Sequence, residues 1–223
     1  MSIEQYTESL TLQSMKCVLG ENEFGYVYPQ GDVADVEKVE LLLKKAGGKP
    51  KECALNDYSR SGNGKGKPEY IITFKADVNT IIVVECKKAV SKHETEQHDH
   101  PKDYAVDGAL YYAKFLKEDY TVIAVAVSGT KRENMRSSAY LWAKGQDEFT
   151  ELRKARDIIL EPTTYVDLAK GRKIQREYSL DSIREIAIDM HDYLREIKMT
   201  ERHKPIFIAG ILMALNDEDF AKT

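Results

Sequence analysis

The spacing of hydrophobic residues predicts two amphipathic helices in the first half of the chain. Over residues 32–46 the apolar positions recur at helical spacing, and Gly47 and Gly48 follow as a stop. A second helix is predicted over 104–117, with an apolar stripe that includes Val106, Leu110 and Leu116. Between the two helices, residues 56–68 are rich in Gly, Ser and Asn and predict a flexible loop.

Three β-rich runs predict the strands of a mixed sheet. The runs at 69–76 and 79–88 are separated by two residues, so the natural unit is an antiparallel hairpin. The run at 120–129 follows a helix-length crossover and is expected to lie parallel to the strand before it. Residues 138–144 are a weaker strand candidate. The predicted fold class is therefore α/β, a mixed sheet flanked by helices.

The pattern changes after about residue 165 and predicts a C-terminal helical extension. Ser182 to Glu185 form a capping box, and apolar residues at helical spacing follow it. Residues 206–220 read as a helix that is apolar nearly all round, which a small domain covers poorly. We expect this helix to pack on residues outside the present chain.

Composition favours a cytoplasmic globular protein. The 223 residues are 42% hydrophobic and 31% charged, and no apolar stretch approaches the roughly 20 residues of a membrane span. The N-terminus lacks the features of a signal peptide. The three cysteines are widely spaced, which argues against a disulfide framework and against a four-cysteine zinc site.

Charge is unevenly distributed along the chain. The net charge of −4 does not by itself indicate a nucleic-acid partner. Residues 44–67 nevertheless contain seven basic side chains against Glu52 and Asp57. A lysine-rich solvated loop explains this pattern as well as DNA contact does. The functional interpretation assigns phosphate contacts, indifferent to base sequence, to Arg60, Lys65 and Lys67.

The charged end of the second hairpin strand indicates chemistry. Side chains alternate along a strand, so Glu85 and Lys87 share one face while Cys86 lies on the other. Glu69 opens the preceding strand directly after Pro68. Two carboxylates beside a lysine suit phosphodiester hydrolysis, because acidic oxygens hold Mg²⁺ and the lysine positions the attacking water. The Cys86 backbone carbonyl is a further metal ligand in this scheme. The hairpin register that would bring Glu69 and Glu85 together is left open.

The order of motifs resembles the PD-(D/E)XK nucleases. "PEY" at 68–70 and "ECK" at 85–87 are similar to that signature, with Glu69 where Asp is usual. The resemblance implies catalytic roles for Glu69, Glu85 and Lys87, with Mg²⁺ as cofactor and Mn²⁺ able to substitute. It also implies polar help from the second helix, through Asp107 and Tyr111, and an extra carboxylate from the first predicted helix, for which Glu37 is favoured over Glu40.

A narrower resemblance concerns domain organisation. "YAVDGALYYAKFL" and "KPIFIAGILMALNDEDF" resemble parts of the nuclease portion and helical connector of type IIG fused restriction-modification enzymes. This implies a nuclease-like domain over 1–178 and a connector over 179–223, leading to methyltransferase and specificity regions that this chain lacks, or to a partner subunit. The implied function is a prokaryotic Mg²⁺-dependent DNA endonuclease that cuts double-stranded DNA, with transient dimerisation for double-strand cleavage.

Other interpretations remain open from sequence. The chain is alternatively an inert module that keeps the nuclease fold for DNA binding or protein interaction, or the nuclease part of a type I restriction subunit. The stretch 92–101, "KHETEQHDHP", is interpreted as a polar loop rather than a zinc site, since its spacing matches no common metal motif.

Overall fold

The computed structural model describes residues 3–58, 63–172, 188 and 190–216. By its internal contacts the chain divides into two compact units, residues 1–174 and 175–223. The predicted domain boundary at residue 178 lies outside the described residues, as does the predicted capping box Ser182–Glu185.

A seven-stranded mixed sheet forms the centre of the first unit, and its strands follow chain order from one edge to the other. Only β4 and β5 are parallel; every other neighbouring pair is antiparallel. The hairpin, the parallel third run and the α/β fold class predicted from the sequence are thus confirmed, and the architecture is that of a restriction-endonuclease-like fold. The strands are β1 Gly20–Glu21, β2 Gly25–Pro29, β3 Tyr70–Phe74, β4 Thr80–Lys87, β5 Thr121–Ser128, β6 Arg136–Trp142 and β7 Thr150–Glu151.

Among the described residues of the first unit, four α-helices flank this sheet. They are α1 Ile3–Ser14, α2 Glu37–Ala46, α3 Ala105–Leu116 and α4 Pro162–Ala169. Short 3₁₀ turns lie at Val90–Lys92, Arg132–Asn134 and Arg153–Ala155. Helix α2 begins five residues later than its periodicity indicated, because residues 31–36 form turns that begin at Gly31 with φ +67°. Helices α1 and α4 have no counterpart in the sequence prediction.

The two faces of the sheet carry separate hydrophobic cores. Helices α2 and α3 pack on the face that includes Ile71, Ile81 and Val83. The opposite core contains residues of α1 and α4 together with the other face of β4, namely Ile82, Val84 and Cys86. Strand β4 is therefore covered on both sides, and the alternation read from the sequence decides which core each of its side chains enters.

The second unit contains the C-terminal helix, Lys204–Asn216. This confirms, over the described residues, the helix predicted at 206–220. Ile206 and Phe207 near its start are exposed, by 70% and 45%. In the described part of the chain, no helix combines the length and the apolarity needed to cross a membrane.

Candidate metal centre and nucleic-acid interface

The register of the β3–β4 hairpin places Glu69 opposite Glu85. Tyr70 pairs with Val84 and Ile71 with Val83, so one further step brings Glu69 to the position facing Glu85. Directly opposite residues of an antiparallel pair project from the same face of a sheet. Both glutamates therefore belong to the face covered by α2 and α3, and no offset or splaying of the strands is needed.

Glu85 is a fully buried carboxylate with only one of its oxygens paired. Its Oε2 lies 2.5 Å from Nζ of Lys49. Among the described residues, no donor lies within hydrogen-bonding distance of Oε1. A buried carboxylate oxygen without a partner is costly, since it has lost water and gained nothing in exchange. Such an atom is suited to a ligand that supplies positive charge.

Glu69 is partly buried and lies within the electric field of Glu85. Burial, followed by the Glu85 carboxylate and by Glu8 on α1, raises the pKa of Glu69 to about 8 against the lowering effect of Lys49 and Lys87. Two carboxylates and two ammonium groups thus act on the Glu69 carboxylate at this end of the hairpin. We call Glu8, Lys49, Glu69, Glu85 and Lys87 the carboxylate cluster.

Lys87 and Cys86 lie on opposite faces of β4, as their alternation predicts. Lys87 is partly buried and its charge lowers the pKa of Glu69. The Cys86 thiol enters the other core, 3.5 Å from the Thr11 hydroxyl, and burial raises its pKa. A metal-binding role for the Cys86 carbonyl stays a prediction.

Glu8, Lys49 and Tyr112 were not identified from the sequence. Glu8 lies on α1, a helix whose weak apolar periodicity gave no signal, since Thr7 and Thr11 are fully buried on it. Lys49 was counted within the basic stretch but carried no sign of its contact with Glu85. Tyr112 is buried on α3, where burial and the nearby Glu85 raise the pKa of its hydroxyl.

Tyr112 also fixes the chain segment that leads into Glu69. Its hydroxyl oxygen accepts a hydrogen bond of 3.0 Å from the Lys67 backbone N–H. The Gly66 N–H donates to the Leu43 carbonyl at 2.8 Å, and a Cβ on Gly66 would lie 2.7 Å from the Tyr112 ring. Only glycine fits there, so the approach to β3 is held between α2 and α3.

The three additional residues implied by the family resemblance lie in other surroundings. Glu37 is exposed at the start of α2, and the carboxylate that perturbs Glu69 from a helix is Glu8. The Tyr111 hydroxyl donates to the Ala46 carbonyl at 2.5 Å, and its ring packs in the core against Tyr112 and Phe115. All residues of helix α3 are buried, Asp107 and Tyr111 among them. A part for Asp107 or Tyr111 in the metal centre stays a prediction.

Asp107 organises residues 93–100, which we call the histidine loop. Its carboxylate accepts hydrogen bonds from the Thr95 N–H, the Thr95 hydroxyl and the His100 N–H, at 3.1, 2.6 and 3.0 Å. Burial alone would raise the pKa of Asp107, but the His98 imidazole 3.7 Å away and the hydrogen bonds from Thr95 and His100 hold it below its ordinary value. Asp107 is therefore engaged by the loop.

Most other polar groups of the histidine loop are paired with protein, but His98 Nδ1 lies 3.7 Å from Asp107 and has no hydrogen-bond partner among the described residues. His93 is buried, with its ring nitrogens 2.8 and 2.9 Å from the Ser128 and Ser138 hydroxyls. Asp99, His100 and Asp107 come close enough to share an ion, but His100 Nδ1 already lies 2.6 Å from Asp99. The prediction of a polar loop fits this arrangement better than a zinc site does.

The predicted DNA-contacting residues flank the approach to Glu69. Lys67 is exposed, and Lys65 lies 3.8 Å from Glu40 on α2. Arg60 lies outside the described residues. A contact of these side chains with phosphate stays a prediction.

A comparison with curated proteins finds a relative among restriction enzymes. The chain is similar to the type II restriction enzyme and methyltransferase RM.BcgI of Heyndrickxia coagulans, with 30% identity over 178 residues. The matched region covers 73% of this chain, which spans 28% of the length of that relative. No protein-family model matches the chain, and no solved structure matches it. The similarity supports an origin related to restriction enzymes.

The donor set of the carboxylate cluster fits a hard divalent cation. Glu69 and Glu85 occupy facing positions by the register of the hairpin, and one buried oxygen of Glu85 lacks a partner among the described residues. Mg²⁺ and Mn²⁺ take oxygen ligands of this kind. In the described chain, the cluster contains no histidine or thiol that would favour zinc instead.

Proposed function

We propose that this chain is the nuclease part of a restriction-modification system, a Mg²⁺-dependent DNA endonuclease of the PD-(D/E)XK type. The observation that carries the proposal is the facing position of Glu69 and Glu85 with Glu85 Oε1 unpaired among the described residues. The similarity to a restriction enzyme and methyltransferase supports the restriction-related part of this assignment. A cluster of this kind on a mixed sheet is well suited to phosphodiester hydrolysis.

The oxygen ligands and Lys87 have separate tasks in this proposal. Glu69, Glu85 and the Cys86 backbone carbonyl hold the ion. When bound, Mg²⁺ shields the phosphate charge and lowers the pKa of a water molecule. Lys87, on the same face as Glu85, orients the attacking water and donates to the scissile phosphate.

Binding to double-stranded DNA is assigned to the basic segment before β3. Arg60, Lys65 and Lys67 contact backbone phosphates, and such contacts position the duplex without reading its sequence. We assign sequence recognition to methyltransferase and specificity regions or to a partner subunit, and double-strand cleavage to a transient dimer.

An inert nuclease-fold module is the second candidate, and one observation favours it. Lys49 already neutralises one oxygen of Glu85, so the protein holds part of its buried charge without any metal. In this alternative the fold binds DNA or another protein and hydrolyses nothing.

Plasmid nicking separates the two candidates. The wild-type chain with Mg²⁺ is expected to convert supercoiled plasmid to the nicked or linear form, and Lys87→Ala is expected to reduce the rate strongly while plasmid binding persists. Equal cleavage by both would remove Lys87 from its role. If the wild type cuts nothing, Mn²⁺ binding that is lost in Glu85→Gln supports the metal centre, and absence of binding supports the inert module.

A further inference from the structure

Lys49 makes a contact that the hydrolytic scheme does not use. Its ammonium lies 2.5 Å from Glu85 Oε2, and its side chain is only 13% exposed while that of Glu85 is fully buried. The ring of Tyr112 lies beneath the ammonium, 5.4 Å from Nζ to the ring centroid. A lysine ammonium in this position has lost most of its hydration, and one carboxylate oxygen and one aromatic face replace it.

Helix α3 makes room for this lysine. A Cβ on Gly108 would lie 3.3 Å from Lys49 Cδ, 3.3 Å from Glu85 Oε2 and 2.8 Å from the Pro101 carbonyl. Tyr112 follows one turn later, on the same side of the helix. Gly108 and Tyr112 together form a shelf along which the Lys49 side chain reaches the buried carboxylate.

The backbone around Lys49 allows the side chain to leave without disturbing a helix or strand. Lys49 lies in the irregular segment after α2, and Gly47 adopts φ +65° to begin it. Lys51, two residues on, is exposed, so solvent is within easy reach of this segment. Withdrawal of Lys49 therefore needs rotations of a flexible side chain and little else.

We propose that Lys49 is a resident counter-ion of Glu85, which a divalent cation displaces when it enters the carboxylate cluster. The inference rests on the proposed function, since it takes the metal to bind at Glu85. An ammonium and a divalent cation on the same carboxylate repel each other in a poorly hydrated site. Lys49 thus stabilises the metal-free protein and lowers the affinity of the cluster for metal.

Mn²⁺ titration, followed by the electron paramagnetic resonance signal of free Mn²⁺, tests this competition. Lys49→Met is expected to bind Mn²⁺ about tenfold more tightly than the wild type, because one buried positive charge has been removed. Lys51→Met is the matched control, as it removes the same charge from an exposed position of the same segment. Its affinity is expected to stay within about twofold of the wild type.

The possible outcomes separate a failure of the Lys49 inference from a failure of the proposed metal centre. If the wild type binds Mn²⁺, Glu85→Gln does not, and Lys49→Met binds no more tightly than Lys51→Met, the competition is refuted and the metal centre stands. If Glu85→Gln binds as well as the wild type, or if none of the variants binds, the metal centre itself is refuted.

A measurement on the unaltered protein covers the case in which Lys49→Met fails to fold. Acetylation of Lys49 by limiting acetic anhydride, followed by peptide mass spectrometry, reports how accessible its ammonium is. Displacement predicts that Ca²⁺ or Mn²⁺ raises the Lys49 rate at least about fivefold, while Lys51 changes little. An unchanged or lower Lys49 rate at saturating metal would overturn the proposal.

Discussion

The carboxylate cluster and the histidine loop both bury charge beside α3, but they differ in how completely their buried polar atoms are paired. Asp107 on α3 accepts three hydrogen bonds from the loop, and both ring nitrogens of His93 in the loop contact hydroxyls. In the cluster, Glu85 has one paired oxygen, and the other has no partner among the described residues. Buried polar groups in proteins are almost always satisfied. The loop pairs most of its buried groups, His98 Nδ1 excepted, and stabilises the fold. The cluster leaves a buried carboxylate oxygen unpaired, a cost that a bound cation can relieve.

The same comparison explains the opposite pKa shifts of the two carboxylates. Hydrogen bonds outweigh burial at Asp107 and hold its pKa low. At Glu69, burial and the charges of Glu85 and Glu8 act together and raise the pKa. Perturbed carboxylates of the second kind are common at functional sites, because a site built to stabilise a cation leaves its anions unstable without one.

Replacing Glu69 is expected to have the largest effect. Glu69→Gln should reduce Mg²⁺-dependent plasmid cleavage about 1,000-fold, since it removes one ligand of the ion on which the chemistry depends. Without metal, the free energy of unfolding should stay the same or rise, because one of several like charges is gone. Rates at saturating Mg²⁺ and urea denaturation in EDTA measure the two quantities. If Glu69→Gln is less stable than the wild type but cleaves equally well, the carboxylate cluster has the structural role that is assigned here to the histidine loop.

Replacing Asp107 should show the opposite pattern. Asp107→Asn is expected to lower the free energy of unfolding by about 2–3 kcal/mol, because an amide has one acceptor oxygen for the three donors that the carboxylate serves. Cleavage by the folded protein at 20 °C should remain within about fivefold of the wild type. Urea denaturation and a plasmid assay measure these effects, and a loss of cleavage comparable with that of Glu69→Gln would place Asp107 in the metal centre.

Strong local patterns explain which parts of the fold were predictable. The β3–β4 hairpin, α3 and β5 have long apolar runs or a clear periodicity, and each was predicted close to its observed bounds. Helix α1 was missed because it buries Thr7 and Thr11, and the Thr11 hydroxyl satisfies itself on the Thr7 carbonyl at 2.8 Å. Polar residues on the buried side of a helix leave no apolar stripe to detect.

Only the part of the site that lies on the β3–β4 hairpin could be predicted from the sequence. The types and spacing of Glu69, Glu85 and Lys87 follow from the hairpin, but their facing register depends on the turn at 75–79. The resemblance implied Tyr111 on α3, whereas the tyrosine of this helix that contacts Lys49 is Tyr112. A helix buried all round has no exposed stripe that would have distinguished the two. The contact between Lys49 and Glu85 joins residues 36 positions apart, beyond the range of local pattern.

The histidine loop should also be recognisable by its pH dependence. Burial lowers the pKa of His93 to about 4, assisted by Arg136 and opposed by Glu94 and Asp157, against an ordinary value of 6.5. The unfolded chain thus takes up this proton first, so the contribution of His93 is complete above pH 6.5 and is lost as the pH falls toward 4. We expect a loss of about 2–3 kcal/mol across that range.

The matched variant for this measurement is His93→Gln, which retains hydrogen-bonding capacity and cannot titrate. Its free energy of unfolding, measured by urea denaturation from pH 7 to 4.5, should fall less steeply than that of the wild type. Parallel curves for the two proteins would mean that His93 is protonated in the folded state, with Ser128 and Ser138 accepting from it.

The prediction with the smallest expected effect tests which helix, α1 or α2, contributes a carboxylate to the cluster. Glu8 on α1 raises the pKa of Glu69, whereas Glu37 at the start of α2 is exposed. Glu8→Gln should therefore change Mg²⁺-dependent cleavage about tenfold, through the field at Glu69. Glu37→Gln removes the same charge and should change the rate less than about twofold. The reverse order, measured at saturating Mg²⁺ on plasmid DNA, would transfer the helical carboxylate from α1 to α2 and restore the interpretation drawn from sequence.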